Sequence, residues 1–266
     1  MRTLRALTPA AAKRLHADAM HRLRWRRGPI ARVQRKFVEQ HGLRVQTGPF
    51  EGMTYPRSAI SRSEQLVPKL LGSYEQELHG ALEQMLAHDW RQVIDVGAAD
   101  GYYAVGLARR CPKASIHAYE MNSLPAHYSR QLARANGVDD RVSMHGECRI
   151  EDLAALPQVP SLFVADCEGA EAILLDPAAV PLLAESALVV ELHEWLTPSI
   201  ETTIKLRFRE THRLVFIKPE PRHAAEYPAV ASIDELSYVE QELVVSEFRL
   251  RPVRWAVLWP LSEAIA

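Results

Sequence analysis

The chain has 266 residues, of which 47% are hydrophobic and 24% charged, as expected of one large α/β domain or one domain with an appendage. Its three cysteines are too far apart for paired metal-ligand spacing, and their odd number argues against a disulfide framework. No apolar run approaches the roughly 18 residues of a membrane span, and the N-terminus lacks the apolar stretch of a signal peptide. We therefore expect a cytoplasmic protein without a transmembrane segment.

The charge is unevenly distributed although the net charge is only −1. Residues 1–44 contain twelve Lys or Arg against Asp18 and Glu39, so this segment carries about +10 and the rest of the chain about −11. Patterning predicts a helix over 10–23 and a second, short basic helix over 30–40. A helical arm docked on the acidic body is favoured over an arm that binds a polyanion or a membrane surface.

Turn signals and apolar spacing organise the segment that follows the arm. Residues 43–55 predict a small β-hairpin, and residues 57–72 predict a loop. A helical stripe over 74–88 then leads into the first core strand. These patterns divide the chain into a basic helical arm with a hairpin at 1–56 and a larger domain at 57–266.

From residue 91 onward, strand and helix patterns alternate. The predicted strands are 91–96, 115–120, 141–145, 161–166, 187–192, 212–218 and 252–259, and the predicted helices between them include 103–110 and 124–136. Such alternation predicts a parallel sheet with right-handed crossovers. The polar segment 219–246 is too long for a tight hairpin, and we expect it to fold over the substrate mouth.

The segment 93–104 predicts a strand, a glycine turn and a helix, which together form a binding site for a nucleotide-like ligand. Gly97 and Gly101 lack the intervening glycine of a dinucleotide-binding turn, and no Walker lysine follows. Asp95 and Asp100 bracket the turn, and their carboxylates suit a ligand with an ammonium or sulfonium group.

This Asp-x-Gly-x-x-x-Gly pattern resembles the first motif of class I S-adenosylmethionine-dependent methyltransferases. The resemblance implies a Rossmann-like, doubly wound, mostly parallel seven-stranded sheet that ends in an antiparallel C-terminal strand pair. It also implies S-adenosyl-L-methionine as the cofactor. The predicted cofactor-binding residues of the first motif are Asp95, Gly97, Ala98, Asp100, Gly101 and Tyr102.

Further cofactor contacts are expected where the second and third strands end, because ligands of doubly wound sheets lie at the carboxyl ends of the strands. Glu120 stands 19 residues beyond Gly101, where an acidic side chain can accept both hydroxyl donors of a ribose. Met121 and Asn122 would neighbour the adenosine. The segment with Glu147 and Cys148 follows the third strand, where methyltransferases contact the adenine.

Four polar side chains follow the fourth and fifth strands. Residues two apart in an extended segment share a face, so Asp166 with Glu168 and Glu191 with His193 are expected to converge. Crowded carboxylates have raised pKa values unless a cation or proton lies among them. His193, Asp166 and Glu168 are the candidate catalytic residues, either as a general base or as part of a divalent metal site. Asp166 is also a predicted cofactor-binding residue. The sequence leaves the presence of a metal open.

The motifs Asp-x-Glu-Gly-x-Glu at 166–171, Glu-x-His at 191–193 and Ile-Asp-Val-Gly-Ala at 94–98 resemble the FkbM-type methyltransferases. The resemblance covers residues 90–195, less than half of the chain. It implies methylation of hydroxyl groups on sugars, polyketides and other natural products. The chain has Met121 where that family often has a proline, and residues 1–56 lie outside the resemblance.

We therefore predict an O-methyltransferase that acts on a small-molecule or sugar hydroxyl, with His193 as the first candidate base and Asp166 as the second. One alternative is an RNA or protein methyltransferase whose basic arm binds phosphates, with an affinity that falls steeply with salt. Another is a non-catalytic scaffold that binds S-adenosylmethionine. A nicotinamide oxidoreductase is disfavoured by the missing glycine. A small-molecule partner is favoured, while nucleic acid and self-association stay open.

Overall fold

The computed structural model describes residues 28–61, 63, 65–233, 236–249 and 253–261, so the predicted helix at 10–23 lies outside the described residues. The strands are β1 (Gln92–Val96), β2 (Ser115–Tyr119), β3 (Val142–His145), β4 (Leu162–Ala165), β5 (Ala187–Leu192), β6 (His212–Ile217) and β7 (Arg254–Pro260). The α-helices are α1 (Pro29–His41), α2 (Leu66–Leu71), α3 (His79–Leu86), α4 (Tyr102–Arg110), α5 (Ser123–Ala135), α6 (Ile150–Ala154), α7 (Glu171–Leu174), α8 (Ile200–Phe208), α9 (Pro228–Ala231) and α10 (Tyr238–Val245).

The strands form one seven-stranded sheet in the order β3-β2-β1-β4-β5-β7-β6. Strands β1 to β5 are mutually parallel, and β7 runs antiparallel between β5 and β6. This confirms the predicted α/β fold: a Rossmann-like, doubly wound, mostly parallel seven-stranded sheet with an antiparallel C-terminal strand pair. The seven predicted strands match the observed ones to within two residues at each end.

The central strands are buried on both faces, which explains their continuous apolar runs. Side chains on one face, such as Val93 and Val164, pack under α4 and the N-terminal segments. Side chains on the other face, such as Ile94 and Phe163, pack against α7 and α8, including Phe208 of α8. The carboxyl ends of β1 to β5 therefore meet at one edge, where the functional residues were expected.

The small hairpin predicted at 43–55 is present, as an antiparallel bridge between Arg44 and Thr54. Backbone hydrogen bonds of 2.8 Å flank the bridge, from the Tyr55 N–H to the Leu43 carbonyl and from the Val45 N–H to the Met53 carbonyl. The tip of the hairpin folds into the protein, because Phe50 is buried and packs edge-on against Tyr102 of α4. The predicted domain boundary after residue 56 stays a prediction.

The loop predicted at 57–72 was wrong, because this segment contains a 3₁₀ helix (Arg57–Ser61) and α2. Every residue of α2 is buried, so packing rather than local propensity stabilises so short a helix. The helix predicted at 74–88 starts later, as a 3₁₀ turn (Gln76–Leu78) followed by α3. The left-handed backbone of Glu75, with φ +50°, interrupts it.

The 219–246 insertion does not lie over the site as expected. It contains a 3₁₀ turn, α9 and α10, and α10 packs against α1 and α2. An ion pair of 3.5 Å joins Arg32 of α1 to Glu240 of α10, so this part of the basic segment is docked on the body. After the insertion, Glu247, Phe248, Arg249 and Val253 line a cavity at the carboxyl edge of the sheet. No helix among the described residues has the length and apolarity needed to cross a membrane.

Candidate functional site

The loop between β1 and α4 approaches β4 so closely that only glycine fits at position 97. Gly97 has φ +91°, and a Cβ placed on it would lie 1.7 Å from the carbonyl oxygen of Asp166. The N–H groups of Gly97 and Ala98 both donate to the carbonyl of Tyr119, at 2.9 Å. The loop is therefore held between β2 and β4, with its outer surface open.

Several of the predicted cofactor residues support this loop from below. Asp95 is buried, and burial raises the pKa of its carboxyl group to about 7. The nearby carboxylates of Glu120 and Asp100 add to this rise, whereas a hydrogen bond from the Ala104 N–H opposes it. One of its carboxylate oxygens has no hydrogen-bond partner among the described residues. Ala98, Gly101 and Tyr102 are buried as well, and none of these four residues lines the cleft described next.

A cleft of about 360 Å³, here called the β1–β2 cleft, opens above the loop. Its polar and loop lining comprises Gly97, Ala99, Glu120, Met121, Asn122, Gly146, Glu147, Cys148, Asp166, Cys167 and Glu168. The structure thus brings together the predicted residues that follow β1, β2, β3 and β4. A cleft of this volume lies in the range of small-ligand sites.

Glu120 is fixed in this cleft by backbone donors. Its two carboxylate oxygens accept hydrogen bonds from the Ala99 N–H, at 3.1 Å, and the Asn122 N–H, at 2.6 Å. A carboxylate has about four lone-pair positions, so two remain for ligand hydroxyls. Glu147, which was expected near an adenine, is exposed and lies 3.7 Å from Arg149.

A second cavity, here called the β4–β5 cavity, has a volume of about 440 Å³ and adjoins the cleft. Its lining comprises Gln65, Lys69, Tyr74, Ala99, Asp166, Glu168, Glu191, His193, Trp195, Glu247, Phe248, Arg249 and Val253. Ala99, Asp166 and Glu168 belong to both. A ligand in the cleft and a second ligand in the cavity would therefore meet at the end of β4.

His193 lies at the centre of the predicted carboxylate cluster and is only 2% exposed. Its Nδ1 is 2.7 Å from Glu171, a fully buried carboxylate at the start of α7. A carboxylate can only accept, so Nδ1 carries the proton of this hydrogen bond. In the neutral imidazole, the Nε2 lone pair then faces the cavity.

Three further carboxylates surround that Nε2 atom. The distances from Nε2 are 3.4 Å to Asp166, 3.6 Å to Glu168 and 3.7 Å to Glu191. The predicted convergence of residues from β4 and β5 is therefore present in the structure. The Asp166 oxygen nearest Nε2 is buried and has no hydrogen-bond partner among the described residues.

Burial and charge act in opposite directions on these groups. Burial by itself lowers the pKa of His193, but the hydrogen bond to Glu171 and the nearby carboxylates of Glu191 and Glu168 outweigh it and raise the pKa above 6.5. Burial raises the pKa of Asp166 well above its ordinary value, and the neighbouring Glu191 carboxylate adds to this effect. Burial also opposes ionisation of Glu171, yet its hydrogen bond with His193 leaves its pKa lowered.

The pKa of His193 can be tested by NMR titration. We expect its ring protons to titrate with a midpoint above pH 6.5 and Glu171→Gln to lower that midpoint, because the amide cannot stabilise the imidazolium by charge. His212 serves as an internal control: it is buried, its Nε2 lies 2.8 Å from the Ser186 carbonyl, and burial lowers its pKa. An unchanged His193 midpoint in the variant would contradict the role given to Glu171.

Arg249 closes the far side of the cavity. Its guanidinium donates to Glu191, to Glu75 at 2.5 Å and to Glu247 at 2.8 Å. Burial raises the pKa of Glu75 to about 7, although Arg249 and a short hydrogen bond from Tyr103 oppose the rise. The cluster therefore already contains a fixed cation on the β5 side.

Strained backbone is concentrated at this edge of the sheet. Ala99, Glu168 and Phe248 line the cavity with φ values of +45°, +52° and +54°, and Glu75 behind it has φ +50°. A left-handed conformation is unfavourable for residues other than glycine, and such residues are often found at ligand sites. This concentration is independent support for a site here.

The only group of three or more potential metal ligands found among the described residues consists of Asp166, Glu191 and His193, whose ligand atoms lie within 4.8 Å of one another. The donor set, two carboxylate oxygens and one imidazole nitrogen, suits a divalent cation. Arg249 already neutralises Glu191, which weakens the electrostatic demand for a metal at this position.

The sequence did not predict three residues of the site: Lys69, Arg249, and Glu171 as the partner of His193. Glu171 could have been found as the last residue of the Asp-x-Glu-Gly-x-Glu motif. Lys69 belongs to the segment 57–72, which is predicted as a loop. Arg249 lies in a segment for which no helix or strand is predicted. They carry no local signal of their position at the site.

No protein-family model matches the sequence, and no curated protein matches it. Similar solved structures include an rRNA methylase from Streptococcus thermophilus, with 10% identity and a TM-score of 0.47 over 70% of this chain and 97% of that chain. A candidate O-methyltransferase from Klebsiella pneumoniae has 12% identity and a TM-score of 0.46 over 88% and 90% of the two chains. An O-methyltransferase from Bacillus cereus, in complex with SAH, has 14% identity and a TM-score of 0.43 over 71% and 82%.

Proposed function

We propose that this protein is an S-adenosylmethionine-dependent methyltransferase that methylates a hydroxyl group of a small molecule, in the manner of the FkbM-type enzymes that its motifs resemble. The observation that carries the proposal is the junction of the β1–β2 cleft with the β4–β5 cavity at Ala99 and Asp166. Cofactor and acceptor can thus approach each other beside an imidazole that is buried among carboxylates. The volume of about 440 Å³ suits a small-molecule acceptor.

The residues of the cleft fit the cofactor. Glu120 retains lone pairs for the ribose hydroxyls, while Met121 and Asn122 border the same space. Gly97 keeps the loop flat against β4, and Asp166 offers a negative charge where the two spaces meet. When bound, S-adenosylmethionine supplies a methyl group already activated by the sulfonium.

The remaining task is removal of the acceptor proton, which we assign to His193. Glu171 holds the proton on Nδ1, so Nε2 is the free basic atom and is directed toward the cavity. Glu171 and Glu191 favour the imidazolium that forms when the proton is accepted. Asp166 is the second candidate base, and Glu168 is placed to orient the acceptor hydroxyl because it lines both spaces.

The cofactor assignment is tested by thermal shift. S-adenosylmethionine and S-adenosylhomocysteine at about 100 times their dissociation constants should each stabilise the folded protein by about 2.7 kcal/mol, and NAD should not. Stabilisation by NAD alone would favour the oxidoreductase alternative. Stabilisation by S-adenosylmethionine without turnover on a panel of sugar, polyketide and phenolic hydroxyls would favour the non-catalytic scaffold.

A chelator distinguishes the base mechanism from the metal alternative. Since His193 and Arg249 supply the base and a fixed cation, we expect EDTA dialysis to leave methyl transfer unchanged within about twofold. Loss of activity that Mg²⁺ or Mn²⁺ restores would instead assign Asp166, Glu191 and His193 as metal ligands. A protein dialysed without chelator is the control.

A further inference from the structure

Lys69 is a buried lysine at the boundary between the glycine loop and the β4–β5 cavity. Its side chain is 6% exposed and comes from α2, in which every residue is buried. Removing an ammonium group from water is costly unless the charge is paired. We therefore expect the ammonium group of Lys69 to have a specific binding role at this position.

The contacts of Lys69 leave part of its ammonium unused. Its Nζ donates to Asp100 at 2.8 Å and lies 5.0 Å and 5.5 Å from the ring centroids of Tyr74 and Tyr102. Among the residues that the structure describes, Asp100 is the only acceptor found for its three donors. The ammonium can thus donate to a further, anionic group in the cavity that it lines.

The surrounding charges define what that group can be. Lys69 and Asp100 form a pair of opposite charges beside Ala99, the residue shared by the cleft and the cavity. Asp166 contributes a second carboxylate at the same junction. One cation flanked by two anions complements a ligand that carries both a carboxylate and an ammonium, which is the charge pattern of an α-amino acid.

We propose that Lys69 binds the α-carboxylate of the cofactor's amino-acid end, with Asp100 and Asp166 facing its ammonium group. This inference rests on the proposed function. It extends the cofactor site beyond the adenosyl cleft into α2, and it explains why Asp100 is held by a buried lysine instead of being left in solvent.

The test is a double-mutant cycle between the protein and the ligand, read out as dissociation constants from calorimetry. S-adenosylmethionine is compared with decarboxylated S-adenosylmethionine, which retains the ammonium, sulfonium and adenosine. Wild-type protein should bind the decarboxylated ligand about 10- to 100-fold more weakly. Lys69→Met should weaken S-adenosylmethionine by a similar factor and change the decarboxylated ligand by less than about twofold.

Two further variants control for structure. Lys113→Met removes an ammonium from an exposed ion pair, 2.5 Å from Asp89, and should alter neither affinity. Lys69→Arg keeps the charge and should recover part of the affinity for S-adenosylmethionine. If Lys69→Met does not fold, wild-type protein still provides a test. Equal wild-type affinities for S-adenosylmethionine and decarboxylated S-adenosylmethionine would overturn the proposal.

The outcomes separate this inference from the proposed function. Equal weakening of both ligands by Lys69→Met, or no weakening of either, would overturn the carboxylate role while leaving the cofactor assignment intact. Binding of 5′-methylthioadenosine, which lacks the amino-acid end, reports on the adenosyl cleft alone and should be unaffected by Lys69→Met. Failure of all three ligands to bind wild-type protein would overturn both proposals.

Discussion

Gly97→Ala should abolish cofactor binding and destabilise the fold by several kcal/mol. The left-handed backbone, φ +91°, costs a non-glycine residue about 1–2 kcal/mol. The added Cβ would also lie 1.7 Å from the carbonyl oxygen of Asp166, and a clash with backbone cannot be relieved by a rotamer change. The ends of β1 and β4 would have to separate, which displaces Asp166 from the junction of the cleft and the cavity.

Gly137 provides a matched control for this substitution. It also has a left-handed backbone, φ +64°, but a Cβ at this position would meet no atom within 4 Å among the described residues. Gly137→Ala should therefore cost only about 1–2 kcal/mol and retain cofactor binding. Urea unfolding and calorimetry with S-adenosylmethionine measure both effects. Equal losses of stability and cofactor affinity in the two variants would show that the close approach of Gly97 to Asp166 is not the cause of the effect.

His193→Ala should lower the turnover number for methyl transfer by about 100-fold or more while changing the dissociation constant for S-adenosylmethionine by less than about threefold. A positioned general base typically contributes 10²- to 10⁴-fold. His193 lines the β4–β5 cavity and not the β1–β2 cleft, so the contacts of the adenosyl part of the cofactor stay intact. Kinetics at saturating acceptor and calorimetry with the cofactor separate the two quantities.

Loss of the imidazole also leaves the Glu171 carboxylate buried without its partner, so stability must be measured alongside activity. His212→Ala is the appropriate control, because His212 is a similarly buried histidine with one Nε2 contact, to a backbone carbonyl. It should lower stability without a specific loss of turnover. If His193→Ala folds and turns over at the wild-type rate, the base assignment is wrong.

Much of the architecture could be predicted because it follows from local pattern. Strands buried on both faces require continuous apolar runs, and the predicted strand bounds lie within two residues of the observed ones. Gly97 could likewise be recognised, since a glycine directly after a buried strand and before a helix indicates a close backbone approach. The convergence of Asp166, Glu168, Glu191 and His193 followed from the shared edge of parallel strands.

The prediction of a loop at 57–72 failed where burial overrode local signals. This segment contains α2, whose residues are all buried. The contacts that stabilise α2 come from elements distant in the chain, such as α10, and a local pattern does not record them. The hairpin at 43–55 forms as its turn residues predict, but the burial of Phe50 at its tip against α4 is likewise a tertiary contact.

The sequence by itself determined the strand positions, the glycine turn and the acidic and imidazole residues at the strand ends, because each depends on spacing over a few residues. Only the tertiary structure decided how those residues are partnered. Lys69 pairs with Asp100 across 31 positions, and Arg249 pairs with Glu191 across 58 and with Glu75 across 174. Such pairs form where packing brings distant segments together. They determine the charge balance of the site, whereas local spacing predicts only which residues lie near one another.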